Sequence, residues 1–132
     1  MRTGTTTRIV GLSIVMWLLA TGAAPGQTAR TGSMMREKLG LAQRVLAALT
    51  TSDYSLLDRE STALSRLAES PRWAELKTPE LRIYTDNFLK AVADLAAASK
   101  RRDLDAAATH YGTLISACYG CHKHLKDARI AK

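Results

Sequence analysis

The chain has 132 residues, 46% of them hydrophobic and 23% charged, and a formal net charge of +7. This length fits one domain rather than several. The lysines and arginines are scattered, with no basic run beyond Lys100-Arg101-Arg102, which argues against nucleic acid as a partner and leaves a mildly basic surface suited to an acidic protein face or an anionic surface.

Residues 1–26 read as a secretory signal peptide. Arg2 and Arg8 form a basic start, Ile9 to Ala20 is an apolar run of 12 residues, and the small residues of Thr21 to Gly26 follow. The competing reading is an uncleaved membrane anchor, but a span needs roughly 20 residues, so no stable membrane insertion is expected. Cleavage is expected after Gly26, with Ala23 the alternative. The leader carries two of the 19 basic residues and none of the 12 acidic ones, so residues 27–132 form a domain of 106 residues with a charge of +5. The expected location is the periplasm.

Four amphipathic segments follow. The first runs from about Ser33 to Leu49, where Met35, Leu39, Ala42, Leu46 and Leu49 recur at helical spacing and form one apolar stripe. Thr50 to Asp53 ends it, and Asp53 is placed to cap the next helix. The second runs from about Tyr54 to Glu69, with Leu57, Leu64, Leu67 and Ala68 on one face, and Ser70-Pro71 stops it. Pro71 to Lys77, which carries Trp73, reads as the longest connection. The third helix opens at Thr78-Pro79-Glu80, with Thr78 as N-cap and proline at the first helical position. Its stripe is Leu81, Tyr84, Phe88, Val92, Leu95 and Ser99. Asp103 caps the fourth, whose stripe of Leu104, Ala107, Tyr111, Leu114, Cys118, Cys121 and Leu125 continues to about Arg129. No segment alternates with a period of two. The expected fold is therefore all-α, an antiparallel up-down-up-down four-helix bundle.

The fourth segment holds the chemistry. Cys118-Tyr119-Gly120-Cys121-His122 is a C-x-x-C-H pentad, the attachment signature of c-type haem, and it uses both cysteines of the chain. Each thiol adds to one porphyrin vinyl group, and the histidine becomes an axial ligand of the iron. On a helix Cys118, Cys121 and His122 share one face, which is expected to point into the bundle. Three readings compete. A disulfide between Cys118 and Cys121 would close a tiny loop and gain little. A thioredoxin-like pair belongs at a helix start after a strand. A zinc site drawing on His110, His122 or His124 lacks the usual spacing.

With this pentad near the end of the last helix, the lead-in Asp103-Leu104-Asp105-Ala106-Ala107, Trp73 between helices two and three, and Met35-Arg36-Glu37-Lys38-Leu39 on helix one, the chain resembles the cytochrome c′ family. The resemblance implies an exported four-helix bundle with one covalent haem. It also implies that helix one decides function. An apolar residue there leaves the iron five-coordinate and open to NO or CO, whereas a methionine makes it six-coordinate and low-spin, as in electron carriers. Met34 and Met35 both fall at this place. Met35 shares the stripe of Leu39, Ala42 and Leu46, while the row of Met34, Lys38, Leu41 and Val45 contains a lysine. Met35 is therefore expected as the distal ligand, opposite His122. The alternative for a methionine on an apolar face is plain core packing. His124 and His110 are expected at the surface.

The expectation is a non-enzymatic single-electron carrier with haem c, cofactor-binding residues Cys118, Cys121 and His122, and iron ligands His122 and Met35. Gas binding at a labile sixth site is the alternative, and a haem-free helical interaction module is a third. The expected partner is a redox protein with an acidic docking face. Leu41, Val45 and Ala48 are expected either to pair two copies as a homodimer or to widen the core stripe.

Overall fold

The computed structural model describes residues 26–74 and 78–128. The leader expected over residues 1–26 lies outside them except for Gly26, as does Arg129. Among the described residues every regular element is helical. These are α1 (Gly26–Thr51), α2 (Tyr54–Ala68), α3 (Pro71–Ala74), α4 (Pro79–Lys100) and α5 (Leu104–Asp127). The arrangement is compatible with a helical bundle. α1 packs on α2, α2 on α4 and α4 on α5, while α1 and α5 meet over a shorter stretch. No helix among the described residues is long and apolar enough to cross a membrane.

All three expected caps form. Asp53 accepts from the Leu56 amide at 2.9 Å, Thr78 from Leu81 at 3.3 Å and Asp103 from Ala106 at 3.0 Å. Each satisfies an amide that the first helical turn leaves without a partner. The connections α1–α2 and α4–α5 are built alike. Ser52 and Arg102 both take left-handed backbone (φ 55°). Asp53 N–H then reaches back to Ala48 O at 2.9 Å, and Asp103 N–H to Ala98 O at 3.0 Å. These are Schellman closures, each followed at once by an aspartate that starts the next helix. Ser99 Oγ, buried at the end of α4, donates to Tyr54 O at 2.7 Å and ties the two turns together.

Two expectations are corrected. The Pro71 to Lys77 connection is not all loop, because Pro71–Ala74 forms α3. It turns Trp73 inward, where the indole stacks on Phe88 at 5.4 Å and donates to Thr85 Oγ1 at 3.2 Å. The second concerns α1, which starts at Gly26 rather than near Ser33 and is rotated relative to the expected stripe. The buried row is Met34, Lys38, Leu41, Val45 and Ala48, joined by Ala42 and Leu49, whereas Leu39 and Leu46 are 58% and 46% exposed. Leu41, Val45 and Ala48 therefore belong to the core and offer no surface to a second copy. The stripes of α2 and α4 hold, with Leu57, Leu64 and Leu67 facing Phe88, Val92 and Leu95 in the common core.

One ion-pair cluster lies at the α1–α2 seam. Glu60, 5% exposed, takes Arg44 Nε at 2.7 Å and Arg59 Nε at 3.0 Å. Burial pushes its carboxyl up, but the hydrogen bonds from Arg44 and Arg59 outweigh that and hold it below the ordinary value of 4.5. A carboxyl depressed in the fold stabilises the protein above its unfolded pKa, and that contribution is lost as pH falls through the folded one. Glu60→Gln should therefore flatten the loss of thermal stability on acidification below about pH 4.5. Parallel acid limbs for wild type and variant would remove Glu60 from that account.

Candidate functional site

The pentad lies near the C-terminal end of α5, within unbroken helix. Cys118, Cys121 and His122 share one face, as their spacing requires. That face does not enter the bundle interior. Cys118 and Cys121 are half-buried and His122 is exposed, because α5 turns this edge toward the gap it leaves with α1. Cys118 still touches the core at its rim.

A cavity of about 330 Å³ fills this gap. Met35, Arg36, Lys38, Leu39 and Ala42 line it from α1, and Ile115, Cys118 and His122 from α5. Its size falls within the usual range for small-molecule and cofactor sites, roughly 300–1,000 Å³. The exposed Leu39 and Ile115 thus flank a cleft rather than lying singly on the surface. Met34 is fully buried in the core, whereas Met35 is half-buried and reaches the cavity. Of the two methionines, only Met35 shares the cavity with Cys118 and His122. Its position does not come from the stripe expected for it. The core stripe passes through Met34, and Met35 sits at the stripe's edge, where α1 faces α5.

Lys38 is the residue that sequence periodicity misplaced. It is 7% exposed, and its ammonium stands 4.0 Å from the centre of the Phe88 ring and 4.5 Å from that of Trp73. Aromatic faces attract a cation more strongly once it is desolvated. Burial pushes the amine below its ordinary pKa, and the neighbouring Cys118 and Cys121 sulfurs partly restore it. Burial also raises the Cys121 thiol, with Lys38 opposing the shift. Among the described residues no carboxylate oxygen lies within 4.0 Å of Lys38.

The donor set has the chemistry that a covalently held porphyrin needs. It offers two thiols one turn apart, an imidazole on the same face, a thioether across the cavity and apolar walls from Leu39, Ala42 and Ile115. Among the described residues no cluster of three or more His, Cys, Asp or Glu could hold a bare metal ion.

No family model, curated protein or solved structure matches the chain.

The far side of α5 also bears on the pentad. A second cavity of about 560 Å³ lies there against α4, lined in part by Tyr84, Asp94, His110 and Gly120. His110 Nδ1 lies 3.8 Å from Asp94 Oδ2. His124, expected to be solvated, instead packs against Tyr84, with ring centres 5.5 Å apart. The glycine inside the pentad has a local reason. A Cβ at Gly120 would lie 3.1 Å from Tyr84 Cε1, whereas one at Gly112 meets nothing within 4 Å. Replacing a mid-helix glycine by alanine gains about 1 kcal/mol where space is open. Gly112→Ala should show that gain in a denaturant titration, and Gly120→Ala a clearly smaller gain or a loss. Equal gains would mean that Tyr84 does not dictate the glycine.

Proposed function

We propose that this chain is a periplasmic monohaem c-type cytochrome that carries single electrons. In this reading it is an antiparallel up-down-up-down four-helix bundle, with α3 as a turn between its second and third long helices, and resembles the cytochrome c′ family. The observation that carries the reading is the C-x-x-C-H pentad on one helical face, across an apolar cavity from Met35.

The haem, once attached, supplies a one-electron iron couple. Cys118 and Cys121 would anchor it to α5 through two thioether bonds. His122 would offer an imidazole nitrogen to the iron. Met35 would offer a thioether, which favours the ferrous state and raises the potential above that of a bis-histidine site. Leu39, Ala42 and Ile115 give the cavity apolar walls. The basic surface favours encounter with an acidic face on the redox partner.

A second reading is gas binding at a labile sixth position. It is favoured by one observation: Met35 is half-buried at a cavity edge and not locked in the core as Met34 is. The visible absorption spectrum of the purified protein, oxidised and reduced, with and without CO, tests both. A low-spin spectrum that CO leaves unchanged is expected. A high-spin spectrum or a ready CO adduct would move the assignment to gas binding.

A further inference from the structure

Of the two buried charged residues among the described ones, Glu60 has its arginines. Lys38 has two aromatic faces and the pentad's sulfurs, with no carboxylate within 4.0 Å among the described residues. An ammonium buried without a carboxylate is costly, and two aromatic faces offset only part of that cost. An amine that coordinates a metal ion gives up its charge, and that cost falls away. Lys38 lies three residues beyond Met35 on α1, so the two side chains are neighbours on one helical face and line the same cavity.

The position of the amine narrows its role. In a haem c the vinyl carbons that receive the thiols lie on one half of the porphyrin, and the propionates on the other. Lys38 lines the cavity together with Cys118, at the end of the site where the thioethers would form, which is the vinyl half. That places it away from the propionates, the ordinary partners of a basic residue at such a site. The remaining group of the haem that an amine lone pair can bind is the iron.

We propose that Lys38 is a second distal ligand, which takes the sixth position of the iron through Nζ whenever Met35 does not hold it. The inference rests on the haem reading above. In the exchange the iron–sulfur bond to Met35 breaks, the ammonium releases one proton to solvent, and the amine lone pair forms the iron–nitrogen bond. The iron keeps its oxidation state. The chain would then stay six-coordinate through loss or oxidation of the methionine, and the sixth position would be shielded from diatomic gases by two residues in succession.

The test is the spin state of the ferric protein, read by visible absorption and electron paramagnetic resonance. Met35→Leu is expected to remain low-spin, with the spectrum of nitrogen ligation replacing that of the thioether. Met35→Leu combined with Lys38→Leu is expected to become high-spin. So is Met35→Leu combined with Lys38→Arg, because a guanidinium does not give up its proton to bind iron. The arginine variant keeps the buried charge, so a folding defect specific to one substitution does not decide the result. A fully high-spin Met35→Leu protein that still carries covalent haem would overturn the Lys38 inference and leave the cytochrome reading standing. Low-spin spectra in all three variants would overturn it as well, since some other group would be the ligand. Haem that acid–acetone removes from the wild type would overturn the cytochrome reading itself, and Lys38 ligation with it.

Discussion

With Cys118 and Cys121 both replaced by alanine, no haem should remain with the precipitated protein after acid–acetone extraction, whereas the wild type should retain it. Each single variant keeps one thioether and should keep its haem covalently, so the loss appears only when both thiols are gone. The fold gives the experiment a clean reference. Cys118 packs at the rim of the core, Cys121 is half-buried, and both lie within continuous helix. Alanine is the strongest helix former, and it removes only one sulfur atom from each partly exposed position. Far-UV circular dichroism of the double variant should therefore stay strongly helical. Covalent haem in the double variant would show that the pentad is not the anchor. A wild type that loses its colour on extraction would hold its haem without a covalent bond, and one that shows no haem before extraction would favour the haem-free interaction module instead.

Phe88→Ala should cost about 3–5 kcal/mol, the range for removing a buried aromatic ring. Against a total stability of roughly 5–15 kcal/mol, that is a large share. Phe88 is 2% exposed, stacks on Trp73 and lies under the Lys38 ammonium at 4.0 Å. Three elements thus meet at one ring: α1 through Lys38, α3 through Trp73 and α4 through Phe88 itself. Its loss leaves a cavity and also takes one of two aromatic faces from a buried cation, which should place the cost toward the upper end. Ile83→Ala is the control on the same helix. Ile83 is 64% exposed, so its loss should stay within about 0.5 kcal/mol. Urea midpoints of the two variants decide the matter. Similar losses for both would mean that the aromatic cluster is not a fixed part of the core.

Much of the architecture was legible because it depends on neighbours in sequence. Asp53, Thr78 and Asp103 cap the helices that follow them, since a short oxygen-bearing side chain just before a helix has free amides within reach. α2 and α4 bury the stripes their sequences show. α1 is different because it carries two competing rows. Met35, Leu39, Ala42, Leu46 and Leu49 form the more apolar row, yet the core takes the row with Met34, Lys38, Leu41, Val45 and Ala48. Hydrophobicity counts a lysine as polar and has no way to include the Trp73 and Phe88 faces that receive it. Those faces come from residues 35 and 50 positions further along the chain. The same limit hid Gly120, whose reason is the ring of Tyr84 on another helix.

The sequence by itself determined that the chain is helical, where its long helices are capped, and that two thiols and an imidazole share one helical face. Each of these depends only on residues within a turn of one another. The tertiary structure decided how each helix is rotated about its axis. Rotation follows from the sum of packing across the whole core, and a shift of about 100° per residue exchanges neighbouring rows without changing the helix. That rotation put Met34 in the core, left Met35 at the cavity with Cys118 and His122, and buried Lys38 along the same cavity.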